Sequence, residues 1–272
     1  VLYIQKHTVE KVIETVKKIT PTPQPKMALV IGSAPDAVLA KVWNLSSFAY
    51  RIAINNSWQI TPDWDFLVYP EDLLPERLPT APLKAHQKLI DAAEFVPAQN
   101  KLGGFVYAGG TMAFTTAYWT LSALKPDLIA FLGCDMIYGA SLGESNHFYG
   151  HGTSDPLRPD ITLQSLEAKS VRFMAIANAL NCAVVNLSEL PQSRLAFPRV
   201  SMQDLQGADF CSALLEQQNL ALNSNNVDRA LAAEKSLAYM VSSGKYWEQL
   251  EHLDASKLNQ IDNLWLDAIQ RN

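Results

Sequence analysis

The chain has 272 residues, 48% of them apolar and 18% charged, with 12 Gly and 15 Pro, a globular mixture that excludes a disordered or fibrous protein. Its 22 Lys and Arg against 27 Asp and Glu leave a formal charge of -5, so no global field draws it to nucleic acid. Because single cores stop growing near ~250–300 residues, this length suits a main α/β domain with a smaller attachment.

In chain order, Val9, Val12, Ile13 and Val16 recur at helical spacing behind Thr8, with Glu14 and Lys18 four apart, which predicts a short amphipathic helix. The Pro-rich stretch at 21–25 stops it, so 1–25 reads as helix and linker. Short apolar runs follow, each ending in small or polar residues: MALVIG at 27–32, RIAIN at 51–55, DFLVY at 65–69, GFVYAG at 104–109, LIAFLG at 128–133 and CAVVNL at 182–187. All six read as buried strands, with helical patterns at 112–124 and 163–180 between them. Strands alternating with helices predict an α/β fold over 26–200, a Rossmann-like, mostly parallel sheet with helices on both faces.

From 201 to 272 the pattern turns helical. Val227, Leu231, Leu237 and Val241 run up to Gly244, and Leu258, Ile261, Leu264, Trp265, Ala268 and Ile269 follow Asp254, a helix N-cap. These helices form a C-terminal helical appendage or partner surface.

Residues 102–124 carry no charge and are long enough to span a bilayer. Two Gly pairs and five hydroxyls make strand, turn and buried helix the better reading. The amino-terminal segment carries charges throughout and has no apolar h-region, so no secretory leader is expected. Cys134, Cys182 and Cys211 are an odd set without a C-x-x-C pair, which predicts buried thiols in a reducing compartment. A cytoplasmic protein follows, with peripheral attachment at the inner membrane and homo-oligomerisation both compatible.

In a parallel sheet, ligands bind beyond the carboxyl ends of the strands. The residues there are therefore the candidates. Gly32-Ser33-Ala34-Pro35 lacks the Lys of a Walker loop and does not match G-x-G-x-x-G, leaving a phosphate-binding turn or a plain strand-to-helix connection. Asn55 and Asn56 offer amides suited to a base or ribose, or ordinary turn chemistry. Asp135 suits a sugar hydroxyl, a metal ion or a helix cap.

His147-Phe148-Tyr149-Gly150-His151 places two of five histidines in one loop, where imidazole can take a proton from an alcohol or hold a structural hydrogen bond. The run lacks the Glu of H-E-x-x-H, so no metal site is expected. Asp63-Trp64-Asp65 has the form of a D-x-D metal motif but precedes its strand, which favours turn chemistry. Tyr246, Trp247 and Trp265 read as core or partner-facing aromatics.

The order of these pieces over 27–198 resembles the bacterial sialyltransferases of glycosyltransferase family forty-two and the wider group of 6-hydroxymethylpterin diphosphokinase-like proteins. The shared elements are the Gly32-Ser33-Ala34-Pro35-Asp36 turn, the strand-end Asn55 with Asn56 following, the Gly110-Thr111 turn opening an apolar helix, Gly133-Cys134-Asp135, and the His147 to His151 run. Ser33 stands where the sialyltransferases carry Asn.

The resemblance implies that His151 is the general base, with Asp135 as the second catalytic candidate. It implies that Gly32, Ser33, Pro35, Asn55, Asn56, Gly110, Thr111, Gly133, Tyr138, His147 and Tyr149 hold a CMP-activated sugar. The expected activity is metal-independent glycosyl transfer to a glycan hydroxyl, with no resident cofactor. The diphosphokinase branch implies the alternative of magnesium-dependent pyrophosphate transfer, with Asp135 or Asp72 at the ion. A third alternative is a nucleotide- or glycan-binding protein without catalysis.

Overall fold

Five of the six apolar runs form strands of one sheet. The computed structural model describes residues 24–80, 82–137, 147–149, 165–207 and 209–270. The expected amino-terminal helix, Tyr138 and His151 lie outside them. The strands are β1 (Met27–Ile31), β2 (Phe48–Ile54), β3 (Phe66–Val68), β4 (Lys88–Ile90), β5 (Leu128–Leu132) and β6 (Ala183–Asn186). Their order is β4-β3-β2-β1-β5-β6 and every pairing is parallel. The chain steps outward from β1 to β4, then returns to the other side of β1 to lay down β5. The winding reverses between β1 and β5.

The run at 104–109 is a correction to the expected strand. Phe105–Ala108 is one helical turn (α2), bracketed by Gly104 at φ 79° and Gly109 at φ 87°. Both glycines occupy left-handed backbone that a side chain would strain, and they turn the chain sharply at each end. A short apolar run is compatible with buried helix or buried strand, and here these flanking glycines decide it.

The longer helices carry their own caps. Asp91 accepts the Ala93 N–H ahead of α1 (Ala92–Asn100), and Thr111 accepts the Phe114 N–H ahead of α3 (Met112–Trp119). Ser165 caps α4 (Leu166–Ala179), and Asp254 accepts from Ser256 and Lys257 ahead of α7 (Ala255–Leu266). Between them lie α5 (Phe210–Ala221) and α6 (Ser224–Leu237). Helix α6 ends before the expected Gly244, where Ala238 turns left-handed at φ 53°.

Alternate residues of each central strand face opposite sides. Ala28, Val30, Ile129, Phe131 and Val184 pack under α1, α3, α4 and α7. Leu29, Ile31, Ala130, Leu132 and Val185 pack under the turn Pro35–Lys41 and α5. Helices therefore cover both faces.

The C-terminal helices share the first of these cores, through Ala230, Leu258, Ile261 and Trp265. A buried polar network fastens them. Arg172 of α4 makes a bidentate pair with Glu234 of α6, at 2.8 Å for each bond, and also donates to the Tyr118 hydroxyl and the Leu102 carbonyl. The Trp265 indole N–H donates to the same carboxylate. Beside it, Lys169 meets Asp262 at 2.7 Å, both buried. Burial alone would lower the Arg172 pKa, but Tyr118 and Glu234 outweigh it and keep the guanidinium charged.

At the outer edge of β6, the side-chain amide of Gln218 from α5 pairs with one residue of the strand. Its Oε1 accepts the Val184 N–H and its Nε2 donates to the Val184 carbonyl. Among the described residues, no helix is long and apolar enough to cross a membrane.

Candidate functional site

The reversal of winding puts the loops after β1 and β5 side by side, the crevice where open α/β sheets take their ligands. Gly32 donates to the Leu132 carbonyl at 2.8 Å, and Ala34 to the Gly133 carbonyl at 3.0 Å. A Cβ on Gly32 would lie 2.1 Å from the Gly133 oxygen and 2.7 Å from the Cys134 sulfur. Gly133 is left-handed at φ 68°. The two backbones touch because neither carries a side chain here.

Four further sequence candidates, Ser33, His147, Tyr149 and Thr111, join this crevice. The Ser33 hydroxyl lies 2.9 Å from His147 Nδ1, and the Phe148 N–H donates to the Ser33 carbonyl, so the histidine loop is pinned to the β1 turn. Tyr149 stacks on the His147 ring at 4.9 Å, nearly parallel. Burial lowers the His147 pKa from its ordinary 6.5, which favours neutral imidazole. Thr111, besides capping α3, places its hydroxyl 3.6 Å from the Met136 sulfur, next along the chain from Asp135.

Asp135 is 1% exposed. Its Oδ1 accepts from the Asn186 amide at 3.2 Å, while its Oδ2 is buried with no hydrogen-bond partner among the described residues. Asp36 repeats the arrangement. Its Oδ2 accepts the Glu189 N–H at 3.2 Å, while its Oδ1 has no partner among the described residues. Burial raises the Asp36 pKa, with Ser188 opposing it and the nearby Asp135 adding to it. The Cys134 thiol between them is pushed well above its ordinary value by burial and by both carboxylates, so it is a neutral packing group.

Asn55 and Asn56 open the turn Asn55–Gln59 directly after β2. Ser57 ties this turn to the crevice, since its hydroxyl donates to the Ile31 carbonyl at 2.7 Å and accepts the Ile54 N–H. Asn55 is left-handed at φ 51°, and the amide oxygens of both asparagines are buried without a partner among the described residues.

Other candidates sit differently. Gly110 is backed by the C-terminal region, with the Tyr246 hydroxyl 2.3 Å from where a Cβ would be. Pro35 is exposed at the start of its turn. Asp65 is a structural partner of Arg51, accepting at 2.8 and 2.9 Å from the guanidinium, in keeping with the turn reading of Asp63-Trp64-Asp65. Tyr246 and Trp265 are core residues, while Trp247 is half exposed. A groove of about 310 Å³ lined by Trp43, Asn44, Ser46, Ser47, Met202 and Gln206 lies before β2, at the opposite end of that strand from Asn55.

Four buried acceptor atoms thus gather along the carboxyl edge, from Asp36, Asn55, Asn56 and Asp135. Such atoms are costly to bury unpaired and suit a molecule that brings hydroxyl or amine donors. Among the described residues no group of three or more His, Cys, Asp or Glu could hold a metal ion. Sequence reasoning places Asp36 in the first turn without a role of its own, and misses Asn186 and Ser188, for which a loop following the last strand was the available signal. Compared with known proteins, the chain matches no family model, no curated protein and no solved structure.

Proposed function

We propose that this chain is a glycosyltransferase that binds a CMP-activated sugar across the β1–β5 crevice and passes the sugar to a glycan hydroxyl. One observation carries the reading: the row of buried acceptors from Asp36, Asn55, Asn56 and Asp135, without partners among the described residues, along the carboxyl edge of the sheet beside its switch point. Ribose hydroxyls and an exocyclic base amine are donors and match that row. Ser33, Thr111 and His147 add hydroxyl and imidazole groups where the sugar and phosphate would lie. The resemblance gives His151 the proton-accepting role, with Asp135 holding a donor hydroxyl.

A second reading has an observation of its own. Asp135 lies close enough to Asp36 to oppose its ionisation, and a magnesium ion would relieve that repulsion in a pyrophosphate-transferring enzyme.

A thermal-shift and calorimetry panel of CMP, CDP, UDP, GDP and ATP, with and without magnesium, tests both. The expected result is CMP binding that ignores EDTA and is weakened about 10-fold, to a still measurable level, in Asp135→Asn, which turns an open acceptor into a donor. Binding of ATP alone, abolished by EDTA, replaces the first reading with the second. Failure of all five nucleotides to bind overturns both.

A further inference from the structure

The loop that leaves β6 serves both carboxylates of the crevice. Asn186 is fully buried, and its orientation is settled by its partners. The Ser188 N–H, which can only donate, points at one end of the side-chain amide at 2.9 Å, so that end is the oxygen. The amine end must then face the other way. Its two N–H groups go to Asp135 Oδ1 at 3.2 Å and to the Ser193 hydroxyl at 3.1 Å. Every polar atom of Asn186 is accounted for, and among the described residues only one oxygen of Asp135 is engaged.

The next residues treat Asp36 in the same way. The Glu189 N–H holds its Oδ2, and Oδ1 has no partner among the described residues. Both backbone groups of Asn186 are also fixed, its N–H to the Pro198 carbonyl and its carbonyl to the Val200 N–H. The β6 end is therefore a rigid part that grips one oxygen of each acid. The remaining oxygens, Asp135 Oδ2 and Asp36 Oδ1, are set at fixed positions.

We infer that Asn186 is a positioning residue for ligand recognition. It acts through Asp135, presenting Oδ2 as an acceptor for a donor-bearing ligand, with the Glu189 N–H doing the same for Asp36. The inference rests on the switch-point reading of the site and deepens it: the ligand class is a molecule that offers two donors side by side, as a ribose diol does. An amide is suited to the task because it donates to the carboxylate without neutralising it. An Arg or Lys at 186 would pair with the charge and compete with the ligand.

The test is a double-mutant cycle on CMP affinity, read by calorimetry, with the melting temperature of each variant recorded alongside. Asn186→Asp keeps the acceptor for the Ser188 N–H but sets a carboxylate against Asp135, and weakens CMP about 10-fold, the scale of one lost hydrogen bond. In an Asp135→Asn background the same change costs less than about twofold, because the group it acts through is gone. A merely structural role would lower the melting temperature and weaken CMP equally in both backgrounds, and that result overturns the inference.

Should Asn186→Asp not fold, Ser193→Ala removes one acceptor of the amide and gives a loss of a few-fold that also vanishes in the Asp135→Asn background. Wild-type affinity in both 186 and 193 variants refutes the positioning role and leaves the site reading standing. A wild-type chain that binds no CMP refutes the site reading and the inference with it.

Discussion

Replacing Arg172 by Met tests what fastens the C-terminal helices to the sheet. Met fills much of the aliphatic space, so the change removes charge and five-donor geometry more than volume. Glu234, 6% exposed, then keeps only the Trp265 N–H, and the Leu102 carbonyl and Tyr118 hydroxyl lose their donor. Breaking a buried pair on one side costs about 3–5 kcal/mol, since the partner stays charged in a dry site. At about 2–4 °C per kcal/mol for chains near this size, melting drops by roughly 6–20 °C. Urea unfolding followed by circular dichroism measures it. The sharper comparison is the double variant Arg172→Met with Glu234→Gln. Gln retains an acceptor for Trp265 and carries no charge, so the double variant recovers at least about 1 kcal/mol of the single loss. A single variant within 1 kcal/mol of wild type, or a double variant less stable than the single, refutes the reasoning.

Two other outcomes follow from the crevice. Gly32→Ala forces a Cβ against the Gly133 oxygen and Cys134 sulfur, and costs about 1–3 kcal/mol in thermal unfolding as the β1 and β5 loops part; stability equal to wild type would show that the loops yield freely. Asp36 has a folded-state pKa above its unfolded value, so the folded chain holds this proton more tightly and the stability it contributes is present below the ordinary carboxyl range and lost as pH rises through the raised value. Asp36→Asn therefore raises the melting temperature at pH 7, by an increment that shrinks on acidification, and a pH-independent increment would refute the assignment.

Much of the frame is legible from residue types alone. The runs that became β1, β2, β3, β5 and β6 are apolar and bounded by turn residues, because strands buried on both faces need nothing else. β4 escaped notice because it has three residues and begins with the exposed Lys88. Helix α5 falls inside the 201–272 stretch that reads as helical, but its own bounds escaped because its burial falls on few positions, Leu214 and Gln218 among them. For the site, Ser33, Gly133 and Asp135 could be named as strand-end residues. Asn186 could not. An Asn closing the last strand reads as turn chemistry until the strand order sets β6 beside β5, a tertiary fact that local pattern does not carry.

Gln218 has a consequence for how the protein keeps to itself. A parallel sheet that stops at β6 offers a strip of amide and carbonyl groups on which an unrelated extended chain could dock. One primary amide, offering a donor and an acceptor at the spacing of a peptide unit, occupies the middle of that strip. Gln218 over Val184 and the Pro198–Val200 segment over Asn186 together finish the sheet, and a stray polypeptide meets a boundary already plugged.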